Sequence, residues 1–205
     1  MSLFINEISN IALARIGSSL TISNLEDDNT NQAKIIRTHV QSSLTKLLEM
    51  YPWGFATKFA PLALVEENPI NSWSFSYQMP SDAVVLRQLG VEGLFEDKEN
   101  YDDERDKFKE VYSDTGLLIY TNIGQAWAEY TLAIPQGYHF PNHFGRALAA
   151  QLALDIAPQL ITNNFAKVKS VLISDAKTEI NDQIAEDINR KPRPETSKSR
   201  FARVR

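Results

Sequence analysis

Apolar residues fall into two rhythms along the chain. Phe4, Ile8, Ile11, Ala12 and Ile16 recur at three- and four-residue steps and stop at Gly17, which predicts a short amphipathic helix over Leu3 to Ile16, closed by a left-handed glycine. Ala33, Ile36, Val40, Leu44, Leu47 and Tyr51 then repeat at steps of 3, 4, 4, 3 and 4. Asn29 is the expected N-cap, with Gln32 at capping-box distance. Pro52 ends this long helix, because the residue before a proline is pushed out of the α region.

From Pro52 the period becomes two. Thr57 to Glu66, Ser72 to Met79, Val84 to Leu89, Lys109 to Tyr112, Leu117 to Thr121 and Ala126 to Ile134 are rich in aromatic and β-branched residues. Glu-Asn-Pro, Pro-Ser-Asp and Ser-Asp-Thr-Gly breaks separate them, so they read as strands of one antiparallel module. Helical period returns at Pro141, expected at a first helical position. Phe144, Leu148, Leu152 and Ile156 step by four, alanines at 147, 149, 150, 153 and 157 allow close approach of neighbouring helices, and Pro158 is expected to end the run. A last helix, capped by Thr162 or Asn163, carries Phe165, Val168, Leu172, Ala176, Ile180, Ile184 and Ile188 as its stripe up to Lys191 and Pro192. The expected class is α+β: a four-helix body (1–56 and 135–190), an inserted antiparallel β-module (57–134) and an extended basic tail (191–205), with the two long helices side by side.

Composition changes this picture in two places. The 205 residues contain no cysteine, which excludes disulfides, thiolate nucleophiles and cysteine-ligated metal sites. The net charge of −5 is unevenly divided. Arg190, Lys191, Arg193, Lys198, Arg200, Arg203 and Arg205 against Glu195 give the last 16 residues +6, leaving −11 for the other 189. A basic tail on an acidic body suggests a docking segment. Glu96 to Asp106, with seven acids and two bases, reads as an exposed loop. No apolar run reaches the roughly 20 residues of a membrane span, and the N-terminus lacks signal-peptide character, so neither membrane insertion nor conventional secretion is expected.

The usual chemical signatures are missing from the sequence. His139 and His143 are four apart, but Phe140 and Pro141 intervene and no glutamate follows the first, so a surface role at the helix entry is expected rather than metal binding. His39 is expected to be solvated. Asp27, Asp28 and Asn29 lack the glycine and terminal glutamate of a calcium loop. There is no glycine-rich phosphate cradle and no Gly-x-Ser-x-Gly elbow among eight glycines. Neither cofactor nor metal, and no enzymatic activity, is expected.

Four strings carry a resemblance. They are Ile11 to Gly17 with Ile22, Leu25 and Ala33; Leu47 to Thr57, containing Pro52, Trp53 and Phe55; Phe75 to Tyr77 leading into Met79 to Asp82, with Pro80; and Phe144 to Ala157. In this order and spacing, over about residues 3–190, the chain resembles the head-to-tail adaptor family of short-tailed bacteriophages, also called tail tubular protein A or head completion protein. Each string also has a plain structural role: Trp53 and Phe55 would seat a helix-to-strand corner, Tyr77 to Asp82 would end a strand in a turn, and the alanines would pack helices closely.

The resemblance implies a virion protein of the head-tail junction, assembled in the host cytoplasm. It would form a homo-oligomeric ring, usually of twelve copies, beneath the portal protein. The ring would carry the tail nozzle or tail fibre proteins, and genomic DNA would pass through its lumen without sequence-specific contacts during packaging and ejection. The portal-docking segment would then be Arg190, Lys191, Arg193, Lys198, Arg200, Phe201, Arg203 and Arg205. Two other classes compete: a nucleic-acid-binding protein using the basic tail, opposed by the acidic body, and, ranked last, a hydrolase with a carboxylate pair on the β-module.

Overall fold

The computed structural model describes residues 2–70, 72–92, 108–114, 116–134, 137–161 and 165–190. The acidic segment 96–106, the expected caps Thr162 and Asn163, and the tail 191–205 lie outside the described residues. The class is α+β, with four helices and antiparallel sheets among the described residues.

Strand β1 (Ser2–Leu3) leads into α1 (Ile5–Arg15). Glu7 Oε2 accepts the Phe4 N–H at 2.8 Å, occupying a donor that the first turn leaves open. At the other end Gly17 has φ +78, Ser18 N–H reaches Leu13 O, and Gly17 N–H reaches Ala14 O. This is the paired closure for which a left-handed glycine is suited.

Helix α2 (Asn31–Met50) buries Ala33, Ile36, Val40, Leu44 and Leu47 as the stripe requires. Its cap is Thr30 rather than Asn29. The Thr30 hydroxyl accepts from Ala33 N–H, while Asp28 Oδ1 accepts the Thr30 N–H at 2.8 Å and shapes the approach. Tyr51, extended at φ −146 and ψ 143, ends the helix before Pro52.

The expected single module divides into two sheets. Strands β2 (Thr57–Pro61), β8 (Trp127–Leu132) and β5 (Ala83–Gly90) form one, in the order β2-β8-β5. Strands β3 (Ala63–Ile70), β4 (Trp73–Gln78), β7 (Gly116–Thr121) and β6 (Phe108–Ser113) form the other, in the order β3-β4-β7-β6. The stretch expected as one strand from Thr57 to Glu66 therefore breaks at Leu62 and changes sheet. Glu67, Asn68 and Pro69 do not separate strands but lie inside β3. It is an edge strand with register shifts, and Asn68 takes φ 53, so a bulge accommodates a proline that a central strand would reject.

Strand β9 (Phe140–Pro141) pairs with β1 and runs into α3 (Asn142–Leu160). Pro141 is the N-cap, with ψ 143, not the first helical residue. Pro158 does not end α3 but sits in its final turn, where Ile161 N–H still reaches Ala157 O. Helix α3 is buried almost all round and packs against α1, α2 and α4 (Phe165–Arg190). It is the centre of the helical core, consistent with an apolar surface on every side. The long helices α2 and α4 are consequently not neighbours along their length; each lies against α3.

Two apolar cores result. The larger joins the helices with Trp53, Ile134 and Phe140, and the smaller holds Tyr77, Leu86, Leu89, Ile119, Ala128 and Tyr130 between strands. Val84 and Leu132 pack on the helical core from the sheet side. Arg87 bridges the two, giving Nε–H to Thr131 Oγ1 and Nη2–H to Leu48 O at 2.6 Å, one of the carbonyls left open at the end of α2. Burial lowers the Arg87 pKa, against the opposing pull of Glu129 and Glu49.

Candidate functional site

Pro52 to Thr57 must turn the chain from α2 into β2 within a few residues. A short 3-10 turn, Gly54–Ala56, makes the corner. Trp53 is fully buried, and its indole N–H donates to Leu47 O at 2.8 Å, closing another α2 carbonyl. Tyr51 and Phe144 meet the indole edge-on at 5.2 and 4.9 Å between ring centres. Half-buried Phe55 packs on Phe144 and Tyr138. The expected corner role of Trp53 and Phe55 is what these contacts perform.

The corner also holds α4. Asp187, in its last turns, is buried and stretches to two elements at once. Its Oδ1 lies 3.0 Å from His143 Nε2, and its Oδ2 accepts the Gly54 N–H at 3.1 Å. A carboxylate can only accept, so in this bond Nε2 carries the proton. His143 is therefore not a surface residue at the helix entry, as expected, but a buried one between Asp187 and the Trp53 ring. Of the last two positions of the sequence stripe, Ile184 is half-buried against the helical core and Ile188 is exposed, while Gln183 and Asp187 face inward beside Ile184. The steps from Ala176 to Ile180, Gln183 and Asp187 are 4, 3 and 4. A purely helical count would have found them, had the residues not been polar.

The second string forms a strand-end lock. Tyr77 Oη donates to Ile123 O at 3.0 Å and accepts from Ala126 N–H, fastening the β7–β8 connection to β4. Half-buried Pro80 accepts the Ala83 N–H and Asp82 O accepts the Ala133 N–H, so the turn expected from Tyr77 to Asp82 is present. Asp82 Oδ2 meets Lys58 Nζ at 2.7 Å, and its Oδ1 accepts the Tyr130 hydroxyl at 3.0 Å. The hydrogen bond with Lys58 lowers the Asp82 pKa and raises that of Lys58; burial raises that of Tyr130. A charged lysine and an ionised carboxylate sharing their hydrogen bonds form a brace and offer no free base.

Buried or half-buried polar groups tie the other helices. Glu179 Oε1 takes Arg146 Nε–H at 3.1 Å and Gln183 Nε2–H at 2.9 Å, while its Oε2 takes Arg15. Burial raises the Glu179 pKa, but the two guanidinium groups outweigh it and the net shift is downward. Ser43 donates to Asp155 across α2 and α3 at 2.7 Å. His39 is half-buried, not solvated as expected, and takes an N–H from Gln159. His139 packs its ring against Phe4.

Of the expected docking residues, Arg190 is exposed and paired with Glu186 one turn earlier. Lys191, Arg193, Lys198, Arg200, Phe201, Arg203 and Arg205 lie outside the described residues. Among the described residues no group of three or more His, Asp or Glu side chains is placed to hold a metal ion, and no helix is long and apolar enough to cross a membrane. Comparison with protein-family models and with curated proteins finds no match to the chain.

Proposed function

We propose that this chain is a structural virion protein: a head-to-tail adaptor whose four helices form the body of a ring beneath the portal. In this reading the inserted β-module meets tail components, and residues 191–205 are the portal-docking segment. The observation that carries it is the fixation of the last turns of α4. Asp187 ties them to His143 and to the Gly54 N–H, three residues before Arg190, where the basic segment continues. A docking segment transmits load only from a fixed point, and a buried hydrogen-bonded carboxylate supplies one. Three of the four strings behind the resemblance support the reading too, since each carries a scaffold contact: Trp53 at the corner, Tyr77 at the strand lock, and the alanines of α3 against three helices.

Charge gives the two parts different tasks. A body at −11 bordering duplex DNA would repel phosphates and let the genome slide, whereas a basic lumen would hold it. The last 16 residues, at +6, suit acidic grooves on a protein partner. The test is addition of the purified chain to heads that carry a portal ring but no tail. The full chain should add in multiple copies per portal, seen as a defined mass increment, and the chain lacking 191–205 should not. Normal addition of the truncated chain overturns the docking role. Absence of addition by the full chain, together with salt-dependent binding to free duplex DNA, turns the reading to a nucleic-acid-binding protein.

A further inference from the structure

The stripe on α4 is longer than the surface that covers it. Ala176, Ile180, Gln183 and Asp187 are buried, but in the first half of the helix Val168, Val171 and Ile173 are 36–58% exposed. Beside them an open groove of about 250 Å³ runs between Leu154 and Pro158 of α3 and Phe165, Lys169, Leu172 and Ile173 of α4. A second apolar surface lies in the other half of the chain. Edge strand β3 is exposed at nearly every position, with Leu64, Val65 and Ile70 each about half accessible. Exposed apolar side chains beside an open groove and along an unpaired sheet edge are surfaces that a partner can cover.

Charge decides what fits the groove. Lys169 lines it and Lys177 lies one turn beyond Ile173, with Asp175 the nearby acid. Strand β3 carries Glu66 and Glu67 and no cation. Among the described residues none of Lys169, Lys177, Glu66 and Glu67 has an ion-pair partner. Two grooves packed face to face would oppose lysines, and two β3 strands face to face would oppose glutamates. Groove against strand pairs the opposite signs and covers both apolar surfaces.

We propose that the α3–α4 groove receives strand β3 of a second copy of this chain. The contact joins two different surfaces, so it is head-to-tail and propagates from copy to copy, closing into a ring when the rotation permits. The inference rests on the ring reading above and names the surfaces through which that ring is built.

The cysteine-free sequence allows a direct test. Copies carrying Leu64→Cys and copies carrying Val171→Cys are mixed under a mild copper-phenanthroline oxidant, and the mass of the unmodified chain is measured at the same concentration. The expected result is a mixed disulfide dimer well above either self-linked dimer, and a ladder of linked oligomers from copies carrying both substitutions. Glu66→Lys with Glu67→Lys should lower the mixed product by about tenfold, and adding Lys169→Glu with Lys177→Glu to the groove partner should restore it. All these side chains are exposed, so an unchanged circular dichroism spectrum is expected throughout. Self-linked Val171→Cys dimers in excess overturn the proposal in favour of a two-fold contact. Oligomers by mass without a mixed cross-link overturn the contact but leave the ring reading standing. A chain that is monomeric and unlinked overturns the contact, and the head-addition measurement then decides the ring reading separately.

Discussion

Asp187 Oδ1 and His143 Nε2 stand 3.0 Å apart with both side chains nearly inaccessible, joining the last turns of α4 to the first turn of α3. Because Asp187 also accepts the Gly54 N–H, its removal strips a partner from the buried His143 ring and from that backbone amide at once. Asp187→Ala should cost about 1–3 kcal/mol, the range for leaving a buried hydrogen-bonding group without its partner. His143→Ala should cost less when made on the Asp187→Ala background than alone. Urea denaturation of the double-mutant cycle measures this, and additivity within about 0.5 kcal/mol would show that the two residues do not act together.

Ala149 is fully buried on α3, where alanine lets neighbouring helices approach closely. Ala149→Leu adds volume to a packed interior and should destabilise by about 1–3 kcal/mol. The same change at exposed Ala185 on α4 should be nearly neutral, since both residues are good helix formers. Thermal melts of the two variants compare them. Equal melting temperatures would mean that close packing does not require the alanine.

How much of this was legible in the sequence follows from what each residue's position depends on. The α2 stripe, the Gly17 closure and the Pro52 stop are local, set by spacing and by backbone stereochemistry, and the structure repeats them with a one-residue shift at the cap. The break at Leu62 was hidden, because alternation continues across it while the pairing partners change from β8 to β4. Neither Pro158 nor Pro69 ends its element, since a last helical turn tolerates the first and a bulged edge strand the second. The corner at Trp53 could be anticipated from aromatic residues after a helix-ending proline. Asp187 could not, because its burial depends on His143 and Gly54 arriving from 44 and 133 residues away.

Acid should weaken the α1–α3–α4 junction through Glu179. Its pKa is lowered in the folded chain, with burial opposing and the Arg15 and Arg146 contacts prevailing. The unfolded state therefore takes up a proton first. The stabilisation is fully present above the ordinary glutamate value of about 4.3 and is lost as pH falls through the lower folded value. Glu179→Gln should reduce stability at pH 7 and flatten the decline below about pH 4.3. Urea midpoints between pH 7 and pH 3 follow this, and an unchanged slope would show that other carboxylates carry it.

Tyr77 offers the sharpest separation of packing from hydrogen bonding. Its ring is buried in the smaller core, while its hydroxyl gives a proton to Ile123 O and takes one from Ala126 N–H. Tyr77→Phe keeps the ring and removes both bonds, leaving a buried carbonyl and a buried amide without their partner at the β7–β8 connection. The expected cost is about 1–3 kcal/mol, from desolvated groups left unpaired. The loss should be local: the Ala126 amide should exchange with solvent hydrogen faster, while amides of α2 and α3, which belong to the other core, keep their protection relative to global stability. Amide exchange read residue by residue makes the comparison, and an unchanged Ala126 rate would mean that the hydroxyl does not hold the connection.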